Sequence, residues 1–233
     1  MKAITKSIFL ALFFFSAFQS FAQLSIGARA GVRFAKMDGL EDAILDIDNM
    51  DLELEFNTLL GVETGAIIAY QFSPLFSLQG EITYVQKGAE FSFEESLVGQ
   101  NFKSVMTLNM NYLEFAPLAK FSFGDGIVDA FVQAGPSIGY GLNGELKTSF
   151  TFDGLTETET DDLDFEEDGF SRTDFGAIFG AGVTFNLGTV NLFVDGRYSL
   201  GFTNINDGDD EAEIDVTNRG MSATVGVLIP LGQ

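Results

Sequence analysis

The chain has 233 residues, 46% of them hydrophobic, with 26 Gly, 26 Phe and no Cys, His or Trp; a thiol nucleophile, an imidazole base and a His/Cys zinc site are therefore excluded. Without Cys there is no disulfide framework either, so an exported domain must hold through its own hydrogen bonds. The 34 acidic and 12 basic residues give a net charge of −22, which argues against nucleic acid, whose phosphates need clustered Lys and Arg.

Residues 1–22 read as a cleaved secretory signal peptide. Lys2 and Lys6 supply a positive start, Ile8 to Phe18 a short apolar run, and Ser20-Phe21-Ala22 the small residues of a cleavage site. A run of about 11 residues falls short of the ~20 that span a bilayer, and no Cys follows to carry a lipid. The expected mature domain is 23–233, in which no uninterrupted apolar stretch approaches the length of a transmembrane helix. The mean hydropathy of the whole chain is nevertheless +0.19. Strands that hide apolar residues at every second position reconcile the two.

Eight such segments follow in order. In Leu24 to Phe34, the residues Leu24, Ile26, Ala28, Ala30, Val32 and Phe34 share one face, opposite Ser25, Gly27, Arg29, Gly31 and Arg33; this is the period of a two-faced strand. Leu60 to Phe72 and Phe76 to Lys87 alternate likewise. In the fourth, Val105 to Phe123, the apolar residues are Met106, Leu108, Met110 and Tyr112, then Leu113, Phe115, Ala119 and Phe121. That predicts a phase change at Leu113, with a bulge or bend helped by Pro117. Val128 to Leu142, Thr173 to Leu187, Val190 to Phe202 and Gly220 to Leu231 complete the set.

Short links at Ser73-Pro74, Gly124-Asp125-Gly126 and Asn186 to Thr189 alternate with longer ones at 37–57, 90–104, 143–172 and 203–219. Tight turns on one rim and long loops on the other predict an all-β fold: an eight-stranded antiparallel up-and-down transmembrane β-barrel with both termini on the periplasmic side. A soluble sandwich or lipocalin-like barrel would instead turn its apolar face inward. With apolar residues toward lipid, the opposite face fills a lumen with room only for side chains. The expected inward charges are Arg29, Arg33, Lys87, Lys120 and Arg197 against Glu63, Glu81, Glu114, Asp174 and Asp195. Buried charges persist only when paired, so five of each sign predict a packed core rather than a channel.

The acidity belongs to the long loops. Residues 37–56, 143–172 and 204–218 hold 24 acids and 2 bases between them. Three readings stand: a solvated rim, a divalent-cation site that also bridges to lipopolysaccharide, or a protein-docking surface. Candidate oxygen ligands for Ca²⁺ are Asp46, Asp48, Asp51, Asp207, Asp209, Asp210 and Glu213, although neither group has EF-hand spacing. The alternation of Leu45, Ile47, Leu52, Leu54 and Phe56 with acids suggests a projecting ribbon to which a partner strand adds. Gly135, Gly139, Gly141, Gly176, Gly180 and Gly182 lack the Lys-Ser/Thr and the strand-to-helix setting of phosphate loops. They read as spacers beside large neighbours in a small barrel, and no cofactor is expected.

The segments GARAGVRFA (27–35), LQGEITYVQKGAEF (78–91), NYLEFAPLAKF (111–121), FVQAGPSIGYGL (131–142), DFGAIFGAGVTF (174–185) and RYSLGFTNI (197–205), with the final GVLIPLG, resemble the Bacteroidetes outer-membrane β-barrel family that includes the PorT-like proteins. The resemblance implies a small filled barrel of OmpA/OmpX-like architecture in the cell outer membrane, without a catalytic motif to carry over. It implies a non-enzymatic role in envelope structure or surface interaction, with outer-membrane lipid as a partner and envelope or secretion proteins reached through loops 37–57, 143–172 and 203–219. The alternative it implies is an accessory factor in type IX protein secretion.

Overall fold

The computed structural model describes residues 23–41, 54–97, 100–124, 126–206 and 215–231; the expected signal peptide and all seven candidate Ca²⁺ ligands lie outside them. Ten strands appear in order: β1 Gln23–Asp38, β2 Leu54–Asn57, β3 Leu59–Gln71, β4 Phe76–Leu97, β5 Gln100–Phe123, β6 Val128–Phe152, β7 Leu155–Leu163, β8 Thr173–Asn186, β9 Asn191–Gly201 and β10 Thr217–Pro230. Eight of them close an antiparallel ring, β1-β3-β4-β5-β6-β8-β9-β10 and back to β1. The remaining two stand outside it: β2 pairs with β4, and β7 with β6.

Side-chain direction decides between membrane and soluble barrels. Ile26, Ile82 and Leu192 are 44%, 54% and 43% exposed, whereas Arg29, Glu81 and Arg197 are 4%, 1% and 6% exposed. Apolar residues face out and charges face in, the arrangement of a barrel whose surroundings are lipid. At the lower rim, aromatic rings form a belt. Tyr70 and Phe72 lie 4.8 Å apart, Phe72 and Phe76 5.7 Å, and Phe76 and Phe121 5.1 Å. The turns there are tight: Phe76 N–H bonds the Ser73 carbonyl at 3.2 Å, and Leu187 N–H the Val190 carbonyl at 3.0 Å.

Three sequence expectations need correction. First, the phase change is not in β5. Its even positions stay inward throughout, with Leu108, Met110, Tyr112, Glu114, Ala116, Leu118 and Lys120 all buried. The irregularity is in β6, where the register passes from Asn111↔Asn143 to Tyr112↔Gly141 and leaves Leu142 as the extra residue. Inward positions of β6 are odd up to Gly141 and even from Gly144. Second, 90–104 is no loop: β4 and β5 stay paired to Leu97↔Gln100. Third, 143–172 contains a hairpin, β6 turning into β7 through Asp153 (φ 47°) and Gly154 (φ 81°). Asp-Gly is a strong two-residue hairpin signal, and it was legible between Phe152 and Leu155.

Pro117 does not break its strand. The β5–β6 ladder pauses between Phe115↔Ile138 and Ala119↔Ala134 with its register unchanged, which sets Pro117 opposite Pro136. Two residues without an N–H thus share one gap, so the missing donors interrupt the ladder at one place rather than two. Gly135 lies in the same gap, and a Cβ there would stand 2.0 Å from the Pro117 carbonyl oxygen and 3.1 Å from Leu118 Cα. Both obstacles are backbone and cannot swing aside. Gly135→Ala is expected to destabilise the barrel by about 1–3 kcal/mol, read as a lower urea midpoint by circular dichroism.

Candidate functional site

All ten charges expected in the lumen are buried there, in layers from the lower rim upward. Lowest is an aromatic floor. Ile67, Ala69, Phe131, Phe193 and Leu228 pack together, and Lys120 Nζ sits 3.7 Å from the Phe131 ring centroid and 5.6 Å from that of Phe193. The ammonium is held by ring quadrupoles.

Above the floor lies the main charge cluster. Arg197 grips Glu81 with two bonds, Nη1 at 2.6 Å and Nη2 at 2.8 Å. Arg29 Nη1 adds a third at 2.8 Å and Gln79 Nε2 a fourth at 2.5 Å. Strands β4 and β9 are four steps apart in the eight-strand ring in either direction, so the Glu81–Arg197 fork bridges the lumen's diameter. Arg29 also donates to Glu63, and Asp195 accepts from Arg197 Nε and Gln133 Nε2, each at 2.9 Å, and from the Thr224 hydroxyl. Arg33 Nη1 bonds Ser199 Oγ at 3.2 Å and stands 3.9 Å from Glu63. Higher still, Lys87 Nζ joins Glu114 at 2.6 Å and Asp174 at 3.0 Å, with Asn218 Nδ2 on Asp174 at 3.0 Å. Pairing of this kind is what permits ions in a buried interior.

An apolar plug closes the upper end. Val85, Ala89, Leu108, Met110 and Tyr112 of the ring meet Leu163, Phe165, Ile205 and Val216 from the upper connections. Phe165 is 1% exposed and packs edge-on against Tyr112 at 5.7 Å. It enters over Gly141, where a Cβ would come within 2.5 Å of the ring. The glycines therefore act partly as expected, since Gly182 likewise lies beneath Phe131. Alternation does not encode the plug: Met110 and Tyr112 are apolar, which predicts a lipid-facing side, yet both are buried inward, and the residues that cover them are distant in the chain.

The turn that presents Phe165 is held by Asp164. Its carboxylate accepts the Glu166 backbone N–H at 2.9 Å and lies 3.4 Å from Arg172 Nη2, while Phe170 N–H bonds the Phe165 carbonyl at 2.7 Å. The Glu166 N–H first, with the Glu167 N–H and Arg172, holds the Asp164 carboxyl below its ordinary 3.8 against a smaller opposing effect of burial. A lowered pKa means that the carboxylate supports the turn above the ordinary value and loses that support as pH falls through the folded one. An NMR titration is expected to place Asp164 below 3.8 and to shift the Glu166 amide with the same midpoint.

Past the plug the sheet continues as β2-β4-β5-β6-β7, and its two faces exchange character. In β4 the outward Leu78, Ile82 and Tyr84 give way to Glu90 and Glu94, while inward Glu81 and Lys87 give way to Ala89, Phe91 and Phe93. In β6 the outward residues become Glu145, Lys147, Ser149 and Thr151. Water has replaced lipid outside. The outermost strand, β7, pairs only with β6 among the described residues, and its side chains from Leu155 to Asp162, including Glu157, Glu159 and Asp161, are exposed. No group of three or more acidic residues is placed to hold a metal among the described residues.

In comparison with known proteins, the family described as "outer membrane protein beta-barrel domain" matches residues 19–207. No curated protein matches the chain. Similar solved structures include Neisserial surface protein A at 15% identity and TM-score 0.48, covering 89% of this chain and 97% of that one. Ail, the attachment invasion locus protein of Yersinia pestis, is 17% identical with TM-score 0.35, covering 90% and 97%. OprG from Pseudomonas aeruginosa is 12% identical with TM-score 0.44, covering 91% and 96%.

Proposed function

Since the chain belongs to the outer membrane protein beta-barrel domain family and lies in the outer membrane, we propose that it is a non-enzymatic barrel that presents an acidic sheet at the cell surface for interaction with envelope components. The observation that carries this reading is the exchange of faces above the plug. Strands β4 to β6 run well past the lipid-facing belt and carry Glu90, Glu94 and Glu145 on their outward side, while the exposed β7 edge adds Asp162 on that side and Glu157, Glu159 and Asp161 on the other. Anchorage alone needs no such extension. The edge of β7 that has no partner strand among the described residues offers backbone groups to an added strand, and its acids favour a basic one. A lumen filled by paired charges and closed by the Phe165 plug supports an anchor rather than a pore.

A photo-crosslinking residue in place of Thr158 on β7 tests this in cells. Crosslinks to an envelope protein are expected there and are expected to disappear when residues 144–163 are replaced by a tight turn, with heat-modifiable gel mobility retained. Stable large conductance of the purified protein in planar bilayers would replace this reading with a channel. Accumulation of unexported cargo in a deletion strain would replace it with the type IX accessory role, which rests on the family resemblance.

A further inference from the structure

Four neighbouring strands of the ring, β3, β1, β10 and β9, carry an ordered outward pattern near the upper rim. The register sets Leu60, Phe34, Met221 and Tyr198 side by side in one row across them. These are large apolar residues, and Leu60, Phe34 and Met221 are strongly exposed. The next outward position above Phe34 is Lys36, directly opposite Arg219. A groove of about 460 Å³ opens between the two levels, lined by Phe34, Lys36, Asp38, Thr58, Tyr198, Arg219 and Met221.

Two cations facing each other across a strand pair repel, and only one of them is offset. Asp38 Oδ2 lies 2.7 Å from Arg219 Nε, while Lys36 has no ion-pair partner among the described residues. The top of an apolar groove therefore carries a net positive charge in a chain whose total is −22. Long basic side chains at a membrane boundary also occur as general anchors that reach for the headgroup region. Here, however, two donors converge on one groove. A phosphate between the Lys36 ammonium and the Arg219 guanidinium would relieve their repulsion and accept hydrogen bonds from both, while acyl chains lie on Phe34, Met221 and Tyr198.

We propose that the groove between Phe34, Met221 and Tyr198, capped by Lys36 and Arg219, binds a phosphate-bearing lipid of the outer leaflet. The site is on the outside of the barrel wall, separate from both the lumen and the β7 edge, so it stands or falls independently of the proposed surface interaction.

The full chain in phosphatidylcholine nanodiscs doped with diphosphoryl lipid A, or with the same lipid enzymatically dephosphorylated, supplies the test, with native mass spectrometry reading the lipid retained. Wild type is expected to retain the phosphorylated lipid preferentially. The double variant Lys36→Gln/Arg219→Gln is expected to weaken that retention about thirtyfold, the combined effect of two cations near an anionic surface. Lys103→Gln, which removes a base paired with Glu94 elsewhere on the upper sheet, is expected to leave it unchanged. Both groove positions point outward, and heat-modifiable mobility checks that the barrel still closes. Equal retention of the two lipids by wild type would overturn the proposal, as would a loss shared by Lys103→Gln. Displacement of the lipid by inorganic phosphate at equal concentration would assign the site to a soluble anion instead and so overturn it as a lipid site.

Discussion

Glu81→Ala is expected to destabilise the barrel by about 3–5 kcal/mol, the effect of leaving a buried charge without its partner. Glu81 is 1% exposed and receives hydrogen bonds from Arg29, Arg197 and Gln79. Its removal leaves two buried guanidinium groups in the lumen with one fewer carboxylate between them. Desolvation makes the break severe, and it also implies that the intact pair adds little over a well-packed apolar pair. The double variant Glu81→Leu/Arg197→Met is therefore expected to recover most of the loss. Urea unfolding in detergent, followed by circular dichroism because the chain has no Trp, measures both. A loss below about 1 kcal/mol, the range of a solvated ion pair, would mean that the lumen is wet and the packed-core reading wrong.

The second large effect is expected at the plug. Phe165→Ala removes a ring that is 1% exposed and should destabilise the closed state of the plug by about 3–5 kcal/mol, as for other buried aromatic truncations. The loss is local, because Phe165 belongs to a connection rather than to the ring of strands. Hydrogen exchange of Phe165–Phe170 is expected to accelerate by about two to four orders of magnitude while the ladders of β1 and β10 keep their protection. Gly141→Ala approaches the same end from the opposite side, since its Cβ would stand 2.5 Å from the Phe165 ring. If both variants left exchange unchanged, the ring would not be what closes the upper lumen.

The candidate site was legible to a definite depth. The inward placement of Arg29, Glu81 and Arg197 followed from parity alone, because successive strand residues point to opposite faces. Parity failed where its premise changed. In β5, Met110 and Tyr112 are apolar and yet inward, since apolar means lipid-facing only at depths where lipid is outside. In β6, one added residue at Leu142 reverses every later position, and a reversal of this kind is visible only against the partner strand. The β7 hairpin is a different case, for its Asp153-Gly154 turn is a local signal set within an acidic stretch whose composition reads as a loop.

By itself the sequence determined the class of fold, the orientation of its faces and the balance of buried charge, because each depends on local period and composition. Which charges meet, and what seals them in, was decided only by tertiary structure. Glu81 and Arg197 lie 116 positions apart and become opposite walls of one lumen when β1 pairs with β10. The plug likewise gathers Met37, Tyr112, Phe165, Ile205 and Val216 from separate strands and connections. Ring closure brings these groups within bonding distance, and no local pattern along the chain encodes that proximity.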